Sequence, residues 1–188
     1  KYIAKSVIII IIVILLAPTY SSAERTATQE IPSFNDAWAI TLDRIKEDSK
    51  QDAIINSWWD FGHWFKFQAD RAVTFDGTSQ NTPPAHWIGK TLLTSDENLA
   101  RGILRMLDCG SRGGFKTLSQ LTNDGSQAID IMNEIMILEK DDARITLQEN
   151  NFDKEEVEKL LEQTHCQPPE NYFITSEDMV GKSGVWAH

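Results

Sequence analysis

The sequence predicts an α/β fold that is predominantly helical, with a small sheet, preceded by the end of a transmembrane helix. Three observations support this prediction. Amphipathic patterns at helical spacing recur from residue 33 onward, the short runs 52–57, 71–75 and 171–176 have the length and composition of strands, and residues 7–17 are apolar without a break. At 188 residues the chain can form one domain with a sizeable core.

The first 23 residues contain two lysines, an apolar run of eleven residues, Pro18 and then small residues. Such a run has the length of a signal-peptide core, and Ser21-Ser22-Ala23 suits a cleavage site. It also fits the surviving end of a truncated membrane helix. Because the chain starts at Lys1 and stops inside an apolar stretch, we expect both ends to be cut. In either interpretation the remainder lies outside the cytoplasm.

The composition excludes some classes of partner. There are 28 acidic and 18 basic residues, which gives a net charge of -10 and argues against a nucleic-acid surface, since phosphate binding needs clustered lysine and arginine. Cys109 and Cys166 are too few for a metal cluster. In an exported domain they could form a disulfide, which the sequence alone leaves open.

The helices are predicted from apolar spacing and capping residues. In the first, Trp38, Ile40, Leu42 and Ile45 are expected near one buried face. In chain order the predicted helices are 33–49, one with Pro84 in its first turn, one from Ser95 that Gly113-Gly114 ends, 126–141 with a methionine stripe, 153–165 capped by Asp153, and a last one capped by Ser176.

The stretch Trp58-Trp59-Asp60-Phe61-Gly62 follows directly on the first predicted strand. An ionised Asp60 only accepts hydrogen bonds, whereas Trp58 and Trp59 each offer one indole N–H donor. This inventory suits a clamp for the hydroxyl of a Ser or Thr side chain, and Gly62 lets another backbone approach. The alternative is that both tryptophans lie in the core and Asp60 caps the following helix, which composition alone favours.

Other chemistry is weakly represented in the sequence. The histidines lack the paired spacing of a zinc site, and there is no nucleophile elbow, phosphate loop or dinucleotide fingerprint. Asp178 and Lys182 stand four residues apart, so on a helix they face the same way, and an exposed ion pair is the default interpretation.

The motif at 58–62 resembles the WWDYG motif of archaeal oligosaccharyltransferases, with Phe61 in place of tyrosine. These are the AglB/STT3 family of membrane enzymes, which transfer a lipid-linked oligosaccharide to asparagine. Residues 76–110 are similar to the segment that follows the motif in that family, and 175–186 to a later helix. The resemblance covers most of residues 30–188 and implies an STT3-type central core domain.

The resemblance implies roles for the residues of both constellations. Trp58, Trp59 and Asp60 would bind the Ser or Thr of an Asn-x-Ser/Thr acceptor, with Phe61 and Gly62 completing this substrate-binding motif. Asp178 and Lys182 would match the family's DK-type motif, which also faces the acceptor peptide. Their spacing is Asp-xxx-Lys where the family pattern is Asp-xx-Lys, and Met179 is an alternative member.

The resemblance also implies the wider organisation. Residues 1–23 would be the end and exit of the last transmembrane helix, and 24–188 an extracytoplasmic core domain, truncated at its C-terminus, of a multi-pass protein of the cell membrane. The missing membrane region would hold the catalytic carboxylates, a divalent cation (Mn or Mg) and the dolichol phosphate or diphosphate carrier of the oligosaccharide. This segment would then contain no catalytic or metal-binding residue and be inactive alone.

A second function remains open from the residues. The chain is then an exported carbohydrate- or peptide-binding module with a signal peptide and no enzymatic activity. Its tryptophan cluster, Trp58, Trp59, Trp64 and Trp87, would stack on sugar rings.

Overall fold

The computed structural model describes residues 2–186, except for the side chains of residues 2–4 and 9. Lys1 and residues 187–188, which include the predicted cut ends, lie outside this range. The chain divides between Ala39 and Ile40 into two compact units.

The N-terminal unit contains one long apolar helix, α1 (Tyr2–Gln29), with Pro18 inside it. The part from Lys5 to Gln29 spans 25 residues with a mean hydropathy of 2.3, which is long and apolar enough to cross a membrane. A signal sequence near an N-terminus passes the same test of length and composition. The predicted apolar helix is confirmed. A second helix, α2 (Asp36–Asp48), extends into the second unit, where it buries Leu42 and Ile45.

A small parallel sheet lies in the second unit. Its strands β1 (Ile54–Asn56), β2 (Ala72–Val73) and β3 (Asn171–Phe173) are arranged in the order β2-β1-β3. Ile54 pairs with Ala72 on one side and with Asn171 on the other. The three predicted strands are confirmed, although each is shorter than its apolar run. Because all strands are parallel, their carboxyl ends meet at one edge.

The connection between β1 and β2 is a continuous helical stretch that contains the motif. It starts as a 3₁₀ turn (Trp59–Phe61), continues as α3 (Gly62–Trp64) and widens into a π-helical turn (Phe65–Ala69). Asp70 ends it in the left-handed region with φ 52°. π-helical turns are rare and frequently occur at functional sites.

Among residues 2–186 seven further helices, most of them amphipathic, follow the sheet strand β2 in the chain and pack against one another to build most of the core. The largest fully buried core side chains include Trp87, Ile103, Leu118 and Met132. The helices are α4 (Pro83–Leu93), α5 (Glu97–Gly110), α6 (Gly113–Thr122), α7 (Gly125–Met136), α8 (Lys140–Glu149), α9 (Lys154–Thr164) and α10 (Ser183–Trp186). The predicted class, predominantly helical with a small sheet, is confirmed.

The sequence prediction omitted α6 and α8. Gly113-Gly114 begin a helix rather than only ending one, because Gly114 lies where α6 approaches α9: a Cβ added there would be 2.9 Å from Cγ2 of Thr164. The helix predicted from Ser95 begins two residues later, at Glu97, where the Asp96 side chain accepts the N–H groups of Asn98 and Leu99 as its cap. Ile40 is 69% exposed, because it lies two positions from Leu42 and so on another side of α2.

Two local features stabilise the ends of α5 and α9. A disulfide joins Cys109 at the end of α5 to Cys166 after α9, with Cα atoms 5.7 Å apart, which resolves the question left open by the sequence. Asp153 caps α9 as predicted: its side chain accepts from the N–H of Glu156, whose own side chain accepts the N–H of Asp153.

Candidate functional site

Three segments of the chain meet at the carboxyl edge of the sheet. The motif 58–62 follows β1, the loop that contains Asp76 follows β2, and a 3₁₀ segment (Glu177–Gly181) follows β3. Because the three strands are parallel and β1 lies between β2 and β3, all three segments leave the sheet at the same edge. In open parallel sheets ligands bind outside the carboxyl ends of the strands.

Lys182 joins two of these segments. Its Nζ donates to Oδ2 of Asp60 at 3.0 Å and to Oδ2 of Asp178 at 2.6 Å. The structure therefore brings together the motif and the second constellation, which are 122 residues apart in sequence. The pair does not lie on an α-helix as predicted, and Ser176 is no helix cap, since its hydroxyl donates to Asp178 instead.

This cluster is half-buried and charged. The side chains of Lys182 and Asp60 are each 26% exposed. Burial opposes the charge on Lys182, but its hydrogen bonds to Asp178 and Asp60 outweigh burial and raise its pKa. Burial also opposes the charge on Asp178, and hydrogen bonds from Lys182 and Ser176 lower its pKa. Two carboxylates thus share one cation, which leaves capacity to accept hydrogen bonds from a ligand.

The two tryptophans of the motif have different environments. Trp58 is 7% exposed and packs edge-to-face against Phe75 and Trp186, with ring centroids 5.7 Å apart in both pairs. Trp59 is half-buried and packs against the core. Most of the Trp58 ring therefore lies in the core, whereas Trp59 is more accessible. Asp60 lies within the 3₁₀ turn rather than at its cap.

Phe61 and Gly62 complete the turn. The Phe61 ring stacks on Trp64 at a centroid distance of 4.4 Å. Gly62 allows the close approach that the sequence predicted: an added Cβ would lie 2.7 Å from Cβ of Asp76 and 2.8 Å from the carbonyl oxygen of Phe75. A larger residue at position 62 would push the motif off the loop after β2.

Asp76 was missed as a site residue, because Asp76-Gly77 was interpreted only as a turn. It is 2% exposed. Its Oδ2 accepts from Lys66, and its Oδ1 accepts from the N–H and hydroxyl of Thr78 at 2.9 and 2.6 Å. The hydrogen bonds from Lys66 and Thr78 hold its pKa below the usual range. The signal available in the sequence was a Lys within a few residues of the motif and an Asp after the next strand.

A second buried carboxyl group lies behind the motif. Asn56 donates through Nδ2 to Oδ1 of Asp108 at 2.9 Å and accepts from the hydroxyl of Thr74. Oδ2 of Asp108 has no hydrogen-bond partner among the described residues. Burial raises the pKa of Asp108 to about 6. This network fastens the end of β1 to α5.

A cavity of the second unit lies apart from the motif residues. It has a volume of about 330 Å³ and is lined by Arg101, Arg105 and Asn171 among others, and by no residue of the motif. Within residues 2–186 no group of three or more His, Cys, Asp or Glu is placed to hold a metal ion.

The match to a known family covers most of the second unit. Residues 50–180 match the STT3/PglB/AglB core domain, so the chain belongs to this family. Over 195 aligned residues it is 34% identical to a dolichyl-phosphooligosaccharide-protein glycotransferase of Methanococcus voltae, covering 100% of this chain and 21% of the relative. A protein of the same name from Methanocaldococcus jannaschii is 37% identical over 162 residues, covering 83% of this chain and 17% of the relative.

A third relative is more distant. A dolichyl-phosphooligosaccharide-protein glycotransferase 2 of Pyrococcus furiosus is 30% identical over 78 residues, which is 42% of this chain and 10% of the relative. This chain spans about a fifth of the length of the first two relatives.

Proposed function

We propose that this chain is the acceptor-binding part of an oligosaccharyltransferase, which transfers a lipid-linked oligosaccharide to the Asn of Asn-x-Ser/Thr. The observation that carries the proposal is the contact between Lys182 and Asp60, which joins the two predicted constellations at the sheet edge. Membership of the STT3/PglB/AglB core domain family supports it. Burial of Trp58 and Trp87 in the core leaves the sugar-stacking alternative without two of its four rings.

In this proposal the motif grips the hydroxyl of the acceptor Ser or Thr. Lys182 donates to Oδ2 of Asp60, so Oδ1 can accept a hydrogen bond from the acceptor hydroxyl. The indole N–H groups of Trp58 and Trp59 can donate hydrogen bonds to the oxygen of the same hydroxyl. An acceptor with a methyl group instead of a hydroxyl would leave these polar groups without hydrogen-bond partners. Polar sites discriminate strongly against such a ligand. Asp178 and Lys182 hold Asp60 in place and face the same peptide.

The chemical step needs more than this segment supplies. An amide nitrogen is a poor nucleophile, and a departing phosphate carries charge, so both need stabilisation by a metal and carboxylates. Since this chain spans about a fifth of the length of its first two relatives, we assign the Mn or Mg ion, the catalytic carboxylates and the site for the dolichol phosphate or diphosphate donor to other parts of the full-length protein. The segment alone would be inactive and would contribute positioning.

The proposal also places the chain in a multi-pass protein of the cell membrane. Residues 1–23 would be the end and exit of the last transmembrane helix, although α1 itself continues to Gln29. Residues 24–188 would form the core domain on the extracytoplasmic face. The length and hydropathy of α1 support this assignment.

The test uses the full-length enzyme and the variant Asp60→Asn. We expect kcat/KM for an Asn-x-Thr peptide to fall by about a hundredfold or more, because the hydroxyl loses its charged acceptor. Asp141→Asn, an exposed Asp paired with Arg144, is the matched control and should retain wild-type transfer. Wild-type kcat/KM in a folded Asp60→Asn enzyme would contradict the assignment.

Trp58→Ala is a poor test of binding because Trp58 is buried. Truncating a core tryptophan costs about 3–5 kcal/mol of stability, so loss of transfer could reflect unfolding. Trp59→Phe is the better second variant, since it removes the indole N–H of a half-buried ring and keeps most of its volume.

A further inference from the structure

Asp76 is a buried carboxylate whose backbone and Cβ lie against the motif at Gly62. It follows Phe75, whose ring packs edge-to-face against Trp58. Its own Cβ lies directly against Gly62, where an added Cβ would be 2.7 Å away. The backbone of residues 75–76 therefore forms part of the surface on which the motif rests.

The carboxylate of Asp76 also fixes the helical stretch that continues from the motif. Lys66, in the π-helical turn, donates to Oδ2, and Nδ1 of His63 lies 3.8 Å from the same oxygen. Thr78 donates twice to Oδ1, and the Ser79 hydroxyl lies 3.4 Å from it, so the loop after β2 is fixed to the same group. The Asp76 side chain thus links the π-helical turn that follows the motif to the loop after β2.

The next residue of this loop extends the contact to the second tryptophan. A Cβ added at Gly77 would lie 3.3 Å from Nε2 of His63 and 3.9 Å from Cε3 of Trp59. Along this loop Phe75 packs against Trp58, Asp76 lies against Gly62, and Gly77 lies near the ring of Trp59. Asp60, between them, is held from the other side by Lys182.

We propose that Asp76, through its ion pair with Lys66, is a positioning residue that sets the placement of Trp58, Trp59 and Asp60 for the acceptor hydroxyl. This inference rests on the proposed function. Asp76 acts through the motif and does not touch the acceptor. The clamp works only when the two indole N–H groups and the Asp60 carboxylate are correctly placed. A shift of the supporting loop therefore weakens binding of the acceptor peptide more than binding of the lipid-linked oligosaccharide.

The test measures acceptor KM, donor KM and kcat in the full-length enzyme. Asp76→Asn keeps an oxygen for Thr78 and removes the charge that holds Lys66. We expect acceptor KM to rise about tenfold, while donor KM and kcat at saturating acceptor stay within about twofold of wild type. A merely structural role would reduce the amount of active enzyme and leave both KM values unchanged.

Lys66 provides a second variant that does not disturb the buried loop. Its side chain is 51% exposed, so Lys66→Met is expected to fold, and it should reproduce the rise in acceptor KM. Lys66→Arg keeps the charge and should restore the wild-type value. Glu158→Gln, which breaks the ion pair of Glu158 with Arg144, is the matched control and should leave acceptor KM unchanged.

Three outcomes would overturn the inference. They are a wild-type acceptor KM in a folded Asp76→Asn enzyme, a wild-type acceptor KM in Lys66→Met, and failure of Lys66→Arg to restore the value. If Asp76→Asn does not fold, the two Lys66 variants decide alone. A wild-type acceptor KM in Asp60→Asn would instead defeat the proposed function itself, whereas a defect in Asp60→Asn alone would defeat only this inference.

Discussion

Gly62 is the residue of the motif that acts by having no side chain. Its Cα faces the backbone of the loop after β2, and the carbonyl oxygen of Phe75 and the Cβ of Asp76 occupy the space where a methyl group would lie. Backbone atoms cannot rotate away as the end of a flexible side chain can. Gly62 therefore controls how closely the motif approaches the loop.

Gly62→Ala should lower the free energy of unfolding by about 1–3 kcal/mol, because the added methyl group forces the motif and the loop apart. Denaturant unfolding measures the change. Gly125→Ala is the control, since nothing lies within 4 Å of its added Cβ, and it should leave stability unchanged or slightly higher. Equal stabilities of the two variants would contradict the tight contact at Gly62.

At the scale of single residues, the hydrogen-bonding inventory of Trp58, Trp59 and Asp60 made a hydroxyl clamp a specific hypothesis, and it stays a prediction. The structure adds the contact between Asp60 and Lys182. Asp76 could not be found in this way, because Asp-Gly is a common turn signal and its burial depends on tertiary packing. The same holds for Asp108, which looks like one more acid on an amphipathic helix until its burial against Asn56 is known.

At the scale of elements, α5 and α9 are held unusually close. A Cβ added at Gly110 would lie 2.7 Å from the carbonyl oxygen of Gln163, and the disulfide between Cys109 and Cys166 lies beside this contact. Arg105 adds hydrogen bonds from α5 to the carbonyl oxygens of Thr164 and Leu138. The covalent bond thus reinforces a junction that packing already defines.

Removing the disulfide should destabilise the fold by about 2–4 kcal/mol, because the unfolded chain then loses a crosslink between residues 57 apart. Urea unfolding of the Cys109→Ser, Cys166→Ser double variant measures this, and reduced wild-type protein should behave alike. Thiol labelling is the independent check. Full labelling of the native, unreduced protein would show that the bond is absent.

The elements differ in how far the sequence predicted them. α9 has a complete capping box and an unbroken apolar stripe, so its start was predicted correctly. α6 was missed because two glycines at its start are ordinarily breakers, and here one of them serves close helix packing. The segment after Ser176 has helical composition, but it forms a 3₁₀ turn in which Lys182 reaches Asp60.

At the scale of the whole molecule, two buried groups make stability depend on pH in opposite directions. Burial raises the pKa of Asp108 from 3.8 to about 6, so its contribution is fully present below about pH 4 and is lost as pH rises through 6. Burial and nearby Arg105 lower the pKa of His165 from 6.5 to about 4, so its contribution is present above about pH 6.5 and is lost as pH falls through 4. Between these limits the two effects oppose each other.

Asp108→Asn removes the effect of Asp108 and leaves that of His165, because an amide does not titrate. Relative to wild type, the variant should gain about 1.4 kcal/mol of stability as pH rises from about 5 to about 7.5, because about one unit of the shifted pKa lies in this range. Unfolding free energies at both pH values measure the gain, and the exposed Asp141→Asn should show none. A difference between variant and wild type that is the same at both pH values would contradict the raised pKa.

The arrangement of the whole sheet could not be predicted from the sequence. Three short strands were predicted, but not that all are parallel or that β1 lies between β2 and β3. That order brings the ends of β1, β2 and β3 to one edge, and it alone explains why Asp60, Asp76 and Asp178 are neighbours of one site. Strand order depends on long-range packing, which no local pattern in this chain records.

The contact between Asp60 and Lys182 has a consequence for the timing of biosynthesis. A ribosome that has just made Asp60 must add 122 more residues before Lys182 exists. The strand β3, which positions that lysine, also comes late in the chain. Chains are made from the N-terminus and fold as units during synthesis. The motif therefore lacks its contact with Lys182 while α4 to α9 are being made. A nascent chain therefore forms the contact between Asp60 and Lys182 only in the final steps of folding this unit.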